Sequence, residues 1–157
     1  MQIAMKPVKS GRILLADVSD AFRAMEDSNG VTPDENRAWV IVRQASTEDS
    51  IARAGLISRR ETKYEADRIT GKFQPWYSEV RDENTERRKM MEVYWTVDEI
   101  GNLSYDTGEP IFTMPLKGKP LAAFEEAYGR LPIEITDALW RAVISHVTQW
   151  NPFLQRS

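Results

Sequence analysis

The first regular pattern of apolar positions lies between Arg12 and Asp27. Its apolar members recur at steps of three and four residues: Leu14, Leu15, Val18, Phe22 and Met25. This spacing predicts an amphipathic helix, which Asn29-Gly30 would end. The next run, Trp39-Val40-Ile41-Val42, is short, apolar and mostly β-branched between polar neighbours, so it predicts a buried strand.

The middle of the chain carries weaker signals. Ser46 or Thr47, followed by acidic residues, indicates the cap of a helix that covers Ile51 to Arg60. Thr70-Gly71 predicts the turn of a hairpin. From Ser78 to Val97 there is neither glycine nor proline, and the apolar residues concentrate toward the C-terminal end, so a long helix is predicted there.

Glycine and proline cluster between Gly101 and Pro120, which predicts a series of turns with short extended pieces. Two helices are predicted to follow, in "LAAFEEAYGRL" and in "LPIEITDALWRAVISHVTQWNPF", the second opened by Pro132 and closed by Asn151-Pro152. The last helix has a wide apolar stripe: Ile135, Leu139, Ala142, Val143, His146, Val147 and Trp150. Trp140 and Ile144 lie beside this stripe, so the helix is expected to contact more than one neighbour.

These elements predict an α+β fold that is predominantly α-helical. We expect a short N-terminal strand or hairpin, and a Gly/Pro-rich turn region before the two C-terminal helices. A chain of 157 residues fits one compact domain over residues 1–157, in which residues 1–75 and 76–157 form two halves.

Composition narrows the classes of function. The chain has no cysteine and one histidine, which excludes disulfides, thiolate metal sites and a thiol nucleophile. Its net charge is −3 with both signs interspersed, which argues against electrostatic binding of nucleic acid. No segment approaches the roughly 20 apolar residues of a membrane span. We therefore expect a soluble intracellular protein that binds neither nucleic acid nor a membrane.

Three features could carry chemistry, and each has a simpler explanation. Asp106-Thr107-Gly108 has the letters of an aspartic protease site, but its flanks, "NLSY" and Glu-Pro, are wrong for one and a turn explains it. The oxygen-rich loop of Asp98, Glu99, Asn102 and Asp106 lacks the ligand spacing of an EF-hand. His146 lies on an apolar stripe, where a hydrogen-bonded core or interface histidine is expected. No catalytic residue, metal ligand or cofactor is predicted, so we expect a binding or assembly protein rather than an enzyme.

The aromatic residues suggest where a partner would bind. Trp76 and Tyr77 follow a proline, and Trp150 and Phe153 lie at the end of the last helix. Side chains near helix ends and prolines are less fully enclosed than those in the middle of a helix, and aromatic residues are enriched at binding hot spots. We predict that these four residues are partly exposed and form the partner-binding surface.

Several stretches resemble the tail assembly chaperones of long-tailed bacteriophages. The resemblance is carried by "DTGEPIF", "FEEAYGRLPIEITDALWRAVISHVTQWNPF", "WVIVRQASTEDSIARAGL" and "MEVYWTV", whereas residues 1–36 match no known pattern. It implies a non-catalytic protein of the host cytoplasm that coats the tape-measure protein and helps to recruit tail-tube subunits. In this interpretation, Asp106-Thr107-Gly108 is a turn that directs Ile111 and Phe112 to the core.

Two other classes stay open. A structural virion component, such as a connector or tail-completion protein, would have a similar composition but would persist in finished particles. A phage-encoded enzyme or a modulator of host defence would leave no motif in a single sequence. A homo-oligomer is compatible with each of these classes.

Overall fold

The computed structural model describes residues 1–3, 6–57, 59–66, 73–80 and 85–154. Its strands are β1 (Ile13–Leu14), β2 (Trp39–Val42), β3 (Arg59–Ala66), β4 (Phe73–Val80) and β5 (Val97–Gly101). Its α-helices are α1 (Leu15–Val18), α2 (Asp20–Ser28), α3 (Thr47–Ile57), α4 (Thr85–Thr96), α5 (Leu121–Gly129) and α6 (Ile133–His146). These elements confirm the predicted α+β fold with predominantly helical content.

The strand predicted over residues 39–42 is β2, the middle strand of a three-stranded antiparallel sheet. Val40 lies opposite Ile13 of β1 on one side and Ile100 of β5 on the other. Val40 and Val42 are buried while Trp39 and Ile41 are half-buried, as expected when successive strand residues alternate between two faces. β3 and β4 form a second, two-stranded antiparallel sheet.

Helix α6 lies at the centre of the core. It packs against α1, α2, α4 and β2. Four of its residues have no exposure to solvent: Ala138, Leu139, Ala142 and Val143. Trp140 and Ile144 are buried as well, which confirms that this helix contacts more than one neighbour. The same core includes Leu15 and Phe22, so residues from both predicted halves contribute to it.

The predicted helix over Arg12 to Asp27 is divided into β1, α1 and α2. The break is at Ser19, whose backbone is extended and whose Oγ accepts a hydrogen bond from the Phe22 amide at 3.1 Å. A serine that caps a helix in this way competes with the continuous helical ladder, so the prediction of one helix was wrong at this point.

The long helix predicted over Ser78 to Val97 was also wrong in part. Residues 78–80 belong to β4 and pair with residues 59–61 of β3, and α4 begins only at Thr85. Arg59 and Arg60, which were predicted to end the preceding helix, likewise belong to β3. This pairing joins two distant segments, so the local pattern of either one does not reveal it. The predicted turn at Thr70-Gly71 lies outside the described residues, although the two strands that flank it are present.

Local signals located several helix ends correctly. Ser46 caps α3, because its Oγ accepts a hydrogen bond from the Asp49 amide at 3.1 Å and its own amide donates to the Asp49 carboxylate at 3.0 Å. α5 and α6 match the two predicted C-terminal helices, and Pro132 immediately precedes α6.

Candidate functional site

Asp106-Thr107-Gly108 forms a tight turn. The Gly108 amide donates to the Tyr105 carbonyl at 2.9 Å, and the Tyr105 amide donates to the Glu109 carbonyl at 2.9 Å. Gly108 has φ of +86°, a conformation that glycine adopts without strain. Ile111 and Phe112 follow this turn and are both buried, so the prediction that it directs them to the core is confirmed.

An apolar cleft lies between α5 and the Gly/Pro-rich segment that follows this turn. Its volume is about 160 Å³. The lining residues are Pro110, Ile111, Phe112, Thr113, Leu116, Lys119, Pro120, Ala123, Phe124 and Ala127. The rings of Phe112 and Phe124 lie 5.1 Å apart between centroids, a separation typical of packed aromatic pairs. Most of this lining is hydrocarbon, so the cleft suits an apolar group; we call it the α5 cleft.

Two contacts anchor the wall of the α5 cleft to the helices beneath it. The Tyr94 hydroxyl of α4 donates to the Lys119 carbonyl at 2.9 Å. The Lys117 ammonium lies 2.8 Å from the carboxylate of Asp49 on α3. The segment is therefore fixed at both lysines, although it contains neither helix nor strand.

The charge state of Asp49 depends on this contact. Burial by itself would raise the pKa of Asp49, but the hydrogen bonds from Lys117 and Ser46 favour the carboxylate and the net effect is a pKa below the usual value. The Lys117–Asp49 pair is therefore present at neutral pH.

Tyr128 stands beside the α5 cleft and remains a neutral phenol. Burial, reinforced by the negative charge of Glu86, raises the pKa of Tyr128 to about 12. Its ring packs against Phe124 with centroids 5.6 Å apart. Tyr128 therefore contributes a neutral aromatic surface to this side of the molecule.

The predicted exposure of Trp150 was wrong. Its side chain is only 3% exposed, and its ring packs edge-on against Trp95 of α4 at 6.2 Å between centroids. After α6, a 3₁₀ turn over Thr148–Trp150 directs the chain back onto the core. A ring at the end of a helix can be enclosed in this way by residues that are distant in sequence.

The other three predicted binding residues occupy separate places. Phe153 is exposed at 61%, next to the exposed Leu154. Trp76 and Tyr77 lie on β4, paired with Lys63 and Thr62 of β3, and their side chains lie outside the described part of the chain. Consecutive strand positions fall on opposite faces of a hairpin, so residues 76 and 77 do not share one surface.

A buried carboxylate joins α3, α4 and α6. Glu92 has no solvent exposure and accepts hydrogen bonds from Arg53 Nε at 2.7 Å, from Arg88 Nη1 at 2.9 Å and from Trp140 Nε1 at 2.6 Å. Sequence reasoning missed this network, for which the one available signal was an acid inside the apolar stretch "MMEVYW". Because both carboxylate oxygens accept hydrogen bonds, the network ties helices together rather than presenting a reactive group.

The remaining polar candidates have ordinary structural contacts. His146 is half-buried, with Nε2 3.4 Å from the Val8 carbonyl oxygen. Asp98 lies 2.8 Å from the Lys9 ammonium, and this hydrogen bond raises the pKa of Lys9. Within the described ranges, no group of three or more histidine, aspartate or glutamate side chains could hold a metal ion. None of the described helices has the length and apolar character needed to cross a membrane.

The sequence and fold were compared with known proteins. No family model, curated protein or solved structure matches this chain. The α5 cleft was not foreseen from sequence either, although small residues surround Phe124 along α5 and leave space beside its ring.

Proposed function

We propose that this protein is a non-catalytic assembly chaperone of a long-tailed bacteriophage. It would bind apolar helical segments of the tape-measure protein in the host cytoplasm while the tail is built, and it would help to recruit tail-tube subunits. The proposal combines the sequence resemblance with the character of the α5 cleft.

One observation carries the proposal. Two of the stretches that resemble the chaperones meet at the α5 cleft, because "DTGEPIF" supplies Ile111 and Phe112 and the helix that begins before "FEEAYG" supplies Phe124. An open apolar cleft is the kind of surface that receives side chains of an amphipathic helix. The resemblance and the cleft therefore point to the same part of the molecule.

The experiment is co-expression of this chain with the tape-measure protein of the same phage. The proposal predicts that the soluble fraction of the tape-measure protein rises when this chain is present, and that the two proteins co-purify. Phe153→Ala and Trp76→Ala test the predicted aromatic surface. Trp150→Ala is unsuitable as a binding variant, because its buried ring makes a loss of folding the expected effect.

Different outcomes would favour the other classes. If the wild-type chain neither solubilises nor binds the tape-measure protein but is found in purified particles, it is a structural virion component. If it cleaves a peptide substrate and Asp106→Asn abolishes that cleavage, it is an enzyme. Either result would replace the chaperone proposal.

A further inference from the structure

The size of the α5 cleft limits what it can hold. At about 160 Å³ it is comparable to engineered apolar cavities of about 150 Å³ that bind benzene. That space holds one large apolar side chain and is far too small for a whole helix. A helical partner would therefore rest on the rim and insert a single residue.

The surface beside the cleft allows a helix to come close. Ala123 is exposed and Ala127 is half-buried, and they lie one turn apart on α5 at the edge of the cleft. Small residues at such positions keep the distance between packed helices short. An inserted side chain could then reach Phe112 and Phe124 on the floor.

The end of the cleft near Lys119 is positively charged. Lys117 is paired with Asp49, whereas the exposed Lys119 has no ion-pair partner in the described part of the chain. α5 begins beside it at Leu121, with no side chain capping its first amides and no acidic residue in its first turn. The positive end of the helix dipole adds to the charge of Lys119, so a negative group on the partner would be complementary.

We propose that the α5 cleft binds one large apolar side chain of an amphipathic helix, and that Lys119 pairs with an acidic residue one turn away on that helix. This inference rests on the proposed function, because it specifies which segments of an apolar, helical client would be captured. The apolar side chain supplies most of the affinity by leaving water, and the acid sets the direction of the helix in the cleft.

The test uses a displayed library of helical peptides of about 20 residues, in which one position varies among apolar residues and its neighbours one turn away vary in charge. Selection on the purified wild-type chain should enrich Phe, Leu, Ile or Met together with Glu or Asp one turn away. Failure to recover binders, or recovery of binders with neutral or basic residues at that position, would overturn the proposal.

Two pairs of variants locate the binding site. Ala123→Trp should obstruct the cleft and weaken a selected peptide by about tenfold or more, whereas Ala122→Trp, on the same helix but outside the cleft lining, should retain wild-type affinity. Lys119→Glu should weaken it by about three- to fivefold, and by less at high salt, whereas Lys6→Glu should have no effect. Equal losses within either pair would overturn the assignment.

Two further measurements keep the result clear. If circular dichroism shows that Ala123→Trp does not fold, the exposed lysine pair decides the question. If the wild-type chain self-associates and only Ala123→Trp abolishes this, the occupant is a second copy and the proposed partner helix is wrong. Success of the co-expression experiment without the expected peptide preference would reject this inference and leave the chaperone proposal standing.

Discussion

Replacing Glu92 with glutamine should destabilise the protein more than any change to a surface ion pair. The substitution keeps the size of the side chain but removes its charge. Two guanidinium groups, of Arg53 and Arg88, then lose their common carboxylate, and Arg88 is only 6% exposed. The amide of glutamine would also place N–H donors beside N–H donors.

The expected magnitude follows from burial. Removing one partner of a buried ion pair costs about 3–5 kcal/mol, because the remaining charge is left in a poorly solvated place. The Trp140 indole N–H stays satisfied only if the remaining carbonyl oxygen accepts its hydrogen bond. We therefore expect a loss of about 3–5 kcal/mol from a total stability of about 5–15 kcal/mol, and a melting temperature lower by about 6 to 20 °C.

Urea unfolding followed by far-ultraviolet circular dichroism measures this loss, and an unchanged m-value would show that the two states are comparable. Glu126→Gln is the matched control, because Glu126 and Arg130 form the same four-residue-spaced pair on the solvent-exposed side of α5. The control should cost less than about 1 kcal/mol. If Glu92→Gln costs no more than Glu126→Gln, the assignment of Glu92 as a buried charge that joins three helices is incorrect.

Three other substitutions test the fold. Leu139→Ala removes a fully buried side chain and should cost about 2–5 kcal/mol in urea unfolding; an unchanged midpoint would place it outside the core. Gly101→Ala sets a methyl group against the Trp39 ring and should cost about 1–3 kcal/mol, whereas Gly55→Ala, in open space on α3, should stabilise by about 0.5–1 kcal/mol. Because the pKa of Asp49 is lowered on folding, its contribution is present above the ordinary value of 3.8 and is lost as pH falls below it. Asp49→Asn should therefore cost roughly 1–3 kcal/mol at neutral pH and much less in acid, as stability measurements at several pH values would show.

Sequence alone located the elements whose causes are local. The β-branched run of β2, the Ser46 cap and the proline before α6 each act within a few residues, so their effects can be deduced without knowing the rest of the chain. The turn at Gly108 belongs to the same class, since a positive φ beside short polar residues is a local property.

Tertiary structure decided whatever depends on segments that are distant in sequence. The pairing of β3 with β4 replaced the first part of the predicted long helix, because hydrogen bonds between separate strands outweigh weak local preferences. Trp150 is buried because α4 supplies Trp95 beside it. The α5 cleft and the Glu92 network likewise exist only where separate helices and loops meet, since burial and shape are properties of packed surfaces and not of any one stretch of sequence.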